Sequence, residues 1–169
     1  MNNKCAYILI GDNNTGKTTF QKEIAFLLTG QQYERLDCNK DLVITNKACL
    51  QRHKRLFIMN RSFQEKIADY ITVKDYFNNN FKENDICILS SHLEKQVIEE
   101  MITELKQRFY NIIGVFFTNS ISNNLQANKE ISMLDLQERL IICNDSNINN
   151  WSSQLRLEAN ELSYIIMNK

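Results

Sequence analysis

A glycine-rich segment with a lysine and a threonine follows the first apolar run of the chain. The segment GDNNTGKT has the pattern G-x-x-x-x-G-K-T, with its fixed positions at Gly11, Gly16, Lys17 and Thr18. Glycines allow the backbone to turn so that successive N–H groups point into one concavity, and such a concavity at a helix N-terminus binds anions. The lysine adds a cation for the outer phosphates, and the threonine hydroxyl is a ligand for Mg²⁺. The spacing therefore predicts a loop that holds the phosphates of a nucleotide.

The flanking sequence has the arrangement that such a loop requires. The run CAYILI (5–10) predicts a buried strand before the loop, and apolar residues at helical spacing over 18–29 predict a helix after it. Thr18 is the expected Mg²⁺ ligand. ATP is the expected nucleotide, and GTP is left open although no NKxD-type guanine motif is present. The expected nucleotide contacts are Gly11, Asp12, Asn13, Asn14, Thr15, Gly16, Lys17, Thr18 and Thr19.

This segment resembles the Walker A loop of the P-loop NTPases. It is similar to the GxNxSGKS/T loops of ABC- and SMC-type ATPases and of overcoming-lysogeny-defect nucleases, with Asn13 where those loops carry asparagine. The resemblance is specific over residues 5–29, and beyond them it extends only to the alternation of strands and helices. It implies a three-layer P-loop NTPase fold that binds ATP together with Mg²⁺.

Hydrolytic enzymes of this superfamily usually carry an acidic residue at the end of a later strand. The third predicted strand of this chain ends instead at Asn60 and Arg61. Asn60 can bind a metal-bound water but cannot act as a base. Arg61 can stabilise the charge of a transferred phosphoryl group, or hold a phosphate without turnover. The missing acid predicts weak hydrolysis or hydrolysis that depends on a partner.

The fourth predicted strand ends in ILSSH and also resembles a known element. It is similar to the switch-histidine strand of ABC-type ATPases, in which the histidine contacts the γ-phosphate. The resemblance implies that His92 makes this contact and that Ser91 and His92 lie at the carboxyl edge of the sheet, beside the phosphate loop. The alternative is that Ser90 or Ser91 caps the next helix and that His92 lies in its exposed first turn. The sequence leaves both interpretations open.

A carboxylate from elsewhere in the chain is the remaining possibility for a base. Asp37 follows the second predicted strand, near the place where small-molecule kinases have substrate-binding or base carboxylates. Glu65 and Asp69 follow the third strand and are expected to act as capping or solvent-facing residues. The candidate catalytic residues are Lys17, Asn60, Arg61, His92 and Asp37.

Apolar runs of strand length alternate with stretches of helical period along the whole chain. The predicted strands are 5–10, 33–38, 55–60, 85–91, 112–118 and 138–143, and the predicted helices are 18–29, 62–71, 93–109 and 152–167. Residues 40–51 are ambiguous, with a short helix as one interpretation, and 119–130 are expected to form an irregular loop. This alternation predicts an α/β fold with a mainly parallel sheet of five or six strands and helices on both faces. We expect a single nucleotide-binding domain over 1–169.

Composition limits the classes of partner. The 169 residues include 20 basic and 20 acidic side chains, so the net charge does not predict a general attraction to nucleic acid. A local basic patch at 47–55 leaves nucleic acid as a possible partner. No apolar segment approaches the ~20 residues that cross a bilayer, so no membrane contact is expected.

The five cysteines show no CxxC pair, which favours a reducing compartment. We therefore expect a cytoplasmic protein.

Three functions are compatible with these features. The first is an ATP-binding P-loop NTPase with weak or partner-dependent hydrolysis, whose partner is another protein or a second copy of the chain. The second is a small kinase that transfers the γ-phosphoryl group to a metabolite, a nucleotide or a nucleic-acid end, with Asp37 as the base. The third is a non-catalytic module that senses nucleotide.

Overall fold

The computed structural model describes residues 4–49, 52–144 and 151–169, without the side chain of Trp151. Six strands of this part form one sheet in the order β2-β3-β4-β1-β5-β6, and the β2–β3 pair is antiparallel while the others are parallel. The strands are β1 (Cys5–Ile10), β2 (Lys40–Val43), β3 (Arg55–Ile58), β4 (Ile86–Ser91), β5 (Asn111–Phe117) and β6 (Glu138–Ile142). The predicted α/β fold with a mainly parallel sheet is confirmed.

Helices cover both faces of the sheet. The described helices are α1 (Lys17–Thr29), α2 (Ile67–Tyr70), α3 (Val73–Asn79), α4 (Lys95–Gln107), α5 (Thr118–Asn123), α6 (Leu125–Ser132) and α7 (Trp151–Asn168), and a 3₁₀ turn (Phe63–Lys66) precedes α2. Residues of β1 alternate between two cores: Tyr7 packs with α1 and α7, and Ile8 packs with α3, α4 and α6. The central strand is therefore buried on both faces, as is usual in parallel sheets. No helix in the described part of the chain is both long enough and apolar enough to cross a membrane.

The second strand differs from the prediction. Residues 33–38 are irregular, and the strand that pairs with β3 is Lys40–Val43, inside the segment for which a short helix was one interpretation. In the run 33–38 only Leu36 is buried, so the run offers a sheet too little apolar surface on one face. In β2 the side chain of Leu42 faces the core while those of Asp41 and Val43 are exposed.

Two helical predictions also need correction. The segment 119–130 is not an irregular loop, because α5 and α6 occupy most of it, with Asn128 and Ile131 buried. The predicted helix 62–71 is a 3₁₀ turn followed by the single turn of α2, and the hydroxyl of Ser62 makes no capping hydrogen bond. Thr72 does cap α3, since its hydroxyl accepts a hydrogen bond from the Asp75 N–H.

The sheet order brings three loops to one edge. β4 lies between β1 and β3, and all three strands run in the same direction, so their carboxyl ends are neighbours. The segments that follow β1, β3 and β4 begin at Gly11, Met59 and His92. Residues 11–19, Asn60, Arg61 and His92 therefore converge at the edge where open α/β sheets bind ligands.

Candidate phosphate-binding site

The loop between β1 and α1 turns through two residues in the left-handed region of backbone conformation. Asn14 has φ 62° and Gly16 has φ 90°. Asparagine is one of the few side-chain-bearing residues that adopt this conformation readily, and glycine adopts it without steric cost. In the described residues, the first hydrogen bond of α1 runs from the Phe20 N–H to the Gly16 carbonyl. The preceding N–H groups at the helix start thus have no acceptor there, which leaves donors for an anion.

Lys17 lies buried within this loop, with 8% of its surface exposed. Its Nζ donates hydrogen bonds to the carbonyls of Gly11 (2.6 Å) and Asp12 (2.7 Å). Burial lowers the pKa of Lys17 to about 8, although the nearby carboxylates of Glu65 and Asp12 act in the opposite direction. The loop therefore holds a cation that is poorly solvated and that an anion would stabilise.

Asp12 faces away from the loop, towards the segment that follows β5. Its carboxylate accepts a hydrogen bond from Asn124 Nδ2 (2.6 Å), and its backbone N–H donates to the hydroxyl of Ser120 (3.3 Å). Ser120 is fully buried, and its carbonyl accepts a hydrogen bond from Asn128 Nδ2 (3.1 Å). These contacts attach the first half of the loop to α5 and α6.

Asn144, just after β6, holds the second half of the loop. Its Nδ2 donates to the Thr15 carbonyl (2.9 Å), and its Oδ1 accepts from the Asn119 N–H (3.1 Å) and from the Thr118 hydroxyl (3.2 Å). Asn144 is buried, so these bonds are shielded from water. Sequence analysis did not identify Asn144 or Ser120, because the bonds that attach them to the loop or to α5 join residues more than 20 positions apart in the chain.

A cavity of about 400 Å³ lies over the loop. Seven of the nine expected nucleotide contacts line it, while Gly11 and Asp12 do not. The Thr18 side chain is exposed, and in the described residues its hydroxyl has no hydrogen-bond partner, so this oxygen is available as a Mg²⁺ ligand. The lining residues are Asn13, Asn14, Thr15, Gly16, Lys17, Thr18, Thr19, Arg61 and Glu65.

The carboxylate in this cavity belongs to Glu65. Its oxygens contact Arg61 Nη1 (3.0 Å) and His92 Nε2 (3.3 Å). Partial burial raises the pKa of Glu65, but the hydrogen bonds and charges of Arg61 and His92 outweigh this effect and leave the pKa below its usual value. Glu65 is exposed, as expected, but it also contacts Arg61 and His92, and it is ionised at neutral pH. His92 does not line the cavity, and it is joined to the lining by its contact with Glu65.

Gln64 attaches the 3₁₀ turn that carries Glu65 to the end of β4. Its Nε2 donates to the Ser91 hydroxyl (3.2 Å), and its Oε1 accepts from the His92 N–H (3.3 Å). The Ser91 hydroxyl donates in turn to the His92 carbonyl (3.0 Å). The interpretation that Ser90 or Ser91 caps the next helix is thus wrong, because α4 begins at Lys95 and Ser91 is committed to the strand end.

Gln21 joins α1 to the same edge of the sheet. Its Nε2 donates to the Met59 carbonyl (3.0 Å) and to the Ser90 hydroxyl (3.1 Å), and its side chain is completely buried. The helix that follows the loop is therefore fixed relative to the ends of β3 and β4. Sequence analysis missed this residue, since a glutamine at a helical position carries no signal of its own.

Asn60 and Asp37 lie beside a second cavity rather than in the first. Asn60 is buried, and its Nδ2 donates to the Leu36 carbonyl (2.7 Å). Asp37 is exposed and pairs with Lys40 (3.1 Å). The second cavity has a volume of about 500 Å³ and shares Thr18, Arg61 and Glu65 with the first. The structure thus brings all five candidate catalytic residues to one edge. Lys17, Arg61, Asn60 and Asp37 line two adjoining cavities, and His92 lines neither but contacts Glu65.

No protein-family model matches the sequence, and no curated protein matches it. Among the described residues there is also no group of three or more His, Cys, Asp or Glu side chains suited to a metal ion. The chain is an α/β protein with a six-stranded, mainly parallel sheet. The interpretation of its site depends on the geometry of the residues themselves.

Proposed function

We propose that the chain is a P-loop nucleoside triphosphatase that binds ATP with Mg²⁺ and hydrolyses it slowly. The observation that carries the proposal is Lys17, a buried cation bonded to backbone carbonyls at the base of a 400 Å³ cavity. Phosphate oxygens are stronger acceptors for an ammonium group than carbonyls are, because they are charged. The unpaired N–H groups at the start of α1 add donors for the same anion.

One oxygen-bearing side chain fits a magnesium ion at this site. Thr18 offers its hydroxyl, whereas the two carboxylate oxygens of Glu65 contact Arg61 and His92. Mg²⁺ is usually held by one or two protein oxygens together with substrate phosphates and water, so a larger cluster of acidic residues is not required. When bound, the ion would neutralise charge on the β- and γ-phosphates.

Glu65 supplies the carboxylate that the end of β3 lacks. Ionised at neutral pH, it accepts a proton from the attacking water while the water oxygen bonds to the γ-phosphorus and the bond to the bridging oxygen breaks. Arg61 stabilises negative charge on the transferred group, and His92 orients Glu65. Because Arg61 and Glu65 are paired with each other, each is partly neutralised, which is consistent with slow turnover in the isolated chain.

Phosphoryl transfer to an acceptor other than water is the second candidate function. The second cavity favours it, because this space adjoins Thr18 and Arg61 and contains Asp37 in its lining. An acceptor bound there would lie beside the nucleotide, and Asp37, once released from its ion pair with Lys40, would be the base for an acceptor hydroxyl.

The fate of the γ-phosphate distinguishes these functions. Purified protein is incubated with γ-labelled ATP and Mg²⁺, alone and with a mixture of nucleosides, nucleotides and 5′-hydroxyl oligonucleotides. We expect slow release of labelled phosphate that is lost in Lys17→Ala and retained in the surface control Lys129→Ala. Label on an acceptor would favour the kinase function. ATP that binds without any movement of label would contradict hydrolysis and favour a nucleotide sensor.

A further inference from the structure

The second cavity is large enough for a ligand of its own. Its volume of about 500 Å³ lies within the range of small-molecule sites. Three of its lining residues, Thr18, Arg61 and Glu65, also line the loop cavity, so the two spaces meet along this boundary. The residues that line only the second cavity are Lys22, Arg35, Leu36, Asp37, Cys38, Asn60 and Lys66.

The charges around this cavity are unbalanced. Four lining residues are cationic and two are anionic, which leaves an excess of two positive charges. Both carboxylates already have partners, since Asp37 pairs with Lys40 and Glu65 pairs with Arg61. In the described part of the chain Arg35 has no hydrogen bond or ion pair. The cationic residues are Lys22, Arg35, Arg61 and Lys66.

Buried residues fix part of the cavity wall. Asn60 is buried at the end of β3 and fixes the opposite segment through its hydrogen bond to the Leu36 carbonyl (2.7 Å). In the described residues its Oδ1 has no partner. Leu36 is also buried, and it holds the chain next to Arg35 and Asp37 against the core. The backbone positions of Arg35 and Asp37 at the cavity are therefore set by the fold.

We propose that this cavity binds a phosphate monoester as a second ligand beside the nucleotide. The inference rests on the proposed function, because it places the triphosphate in the loop cavity. A phosphate monoester is a dianion at neutral pH and matches the excess of two positive charges. Arginine binds such a group with two parallel hydrogen bonds, and Arg35 is the guanidinium that is free to do so. Uncharged nucleosides would leave the guanidinium of Arg35 without an anionic partner.

Calorimetry on the full chain tests this inference. The protein is first titrated with a non-hydrolysable ATP analogue and Mg²⁺, and the saturated complex is then titrated with AMP, UMP, glucose 6-phosphate and phenyl phosphate. Adenosine and uridine serve as the uncharged controls. We expect at least one monoester to bind in the presence of the analogue, and neither nucleoside to bind comparably.

Substitution of Arg35 locates the ligand. We expect Arg35→Ala, and independently Lys66→Ala, to weaken monoester binding by about tenfold to a hundredfold, while affinity for the ATP analogue stays the same. Arg52→Ala, an exposed arginine that lines neither cavity, is the matched control. The inference is overturned if no monoester binds, if the analogue displaces it, or if both variants bind it as tightly as the original protein.

The titration with the ATP analogue distinguishes failure of the second-ligand inference from failure of the proposed function. If the ATP analogue binds and no monoester does, nucleotide binding stands and only the second site is rejected. If the analogue itself does not bind, the proposed function is contradicted, and the second-ligand inference that rests on it is rejected with it.

Discussion

At the boundary between the two cavities, the carboxylate of Glu65 lies 3.0 Å from Arg61 and 3.3 Å from His92. The three residues come from the turn after β3 and from the end of β4, which are adjacent in the sheet. In the proposed function, the carboxylate is a base, the guanidinium stabilises anionic charge and the imidazole orients the base. Their individual roles can be separated by substitution.

We predict that Glu65→Gln lowers kcat for ATP hydrolysis by about 10²–10⁴-fold, because an amide cannot accept the proton of the attacking water. Affinity for ATP should change little, since Gln retains the size of the side chain and Lys17 still binds the phosphates. Phosphate release under saturating ATP, with direct measurement of ATP binding, separates the two effects. Glu99→Gln, an exposed position on α4, is the matched control. Unchanged turnover in Glu65→Gln would remove this residue from the mechanism.

We predict that affinity for Mg²⁺–ATP falls as the pH rises above about 8. Burial lowers the pKa of Lys17 to about 8 in the free protein. The phosphates of a bound nucleotide raise this pKa, so above pH 8 the complex holds more protons than the free protein does. Binding is therefore strongest below pH 8 and weakens by up to about tenfold per pH unit above it. Titrations between pH 7 and pH 10 measure this slope. Lys17→Arg keeps its charge throughout and should give a flat profile, whereas a flat profile in the original protein would contradict the account.

At the scale of elements, the loop between β1 and α1 depends on segments that follow β5 and β6. Asn144 joins the Thr15 carbonyl to the start of α5, and Ser120 with Asn124 holds Asp12. Both halves of the loop are thus anchored by polar side chains rather than by packing. An element that contributes no ligand contact still determines the shape of the site.

We predict that Asn144→Ala destabilises the protein by about 1–3 kcal/mol, because it leaves the buried Thr15 carbonyl and the Asn119 N–H without their partner. Affinity for ATP should also decrease, since the second half of the loop loses its anchor. Urea unfolding and ATP titration check the two effects. Asn123→Ala, at the exposed end of α5, serves as the control and should change neither quantity. Normal stability in Asn144→Ala would show that the loop is held by other contacts.

The accuracy of element prediction depended on the length of the apolar pattern. The helices α1, α4 and α7 have long apolar stripes and were predicted from them, and Gly30, with φ 70°, ends α1 directly after the predicted helix 18–29. The strand β2 was missed because four residues at a sheet edge carry little pattern, and their pairing depends on β3. The helices α5 and α6 were missed because polar side chains such as Asn128 anchor them.

At the scale of the whole molecule, the parallel sheet is what makes the site predictable in outline. The alternation of strands and helices predicted a mainly parallel sheet, and the observed strand order brings residues 11–19, Asn60, Arg61 and His92 to its carboxyl edge. Glu65 escaped prediction because its environment comes from His92, 27 residues further along the chain. The division of the edge into two cavities also depends on the irregular segment around Leu36, whose course no local pattern indicated.

The most direct test of the central claim is a calorimetric titration of the full chain with ATP in the presence and absence of Mg²⁺. We predict that one ATP binds per chain, that Mg²⁺ tightens binding, and that Lys17→Ala abolishes it while Lys129→Ala does not. If ATP does not bind, or if Lys17→Ala binds it as tightly as the original protein, the loop between β1 and α1 is not a nucleotide site and the account is wrong.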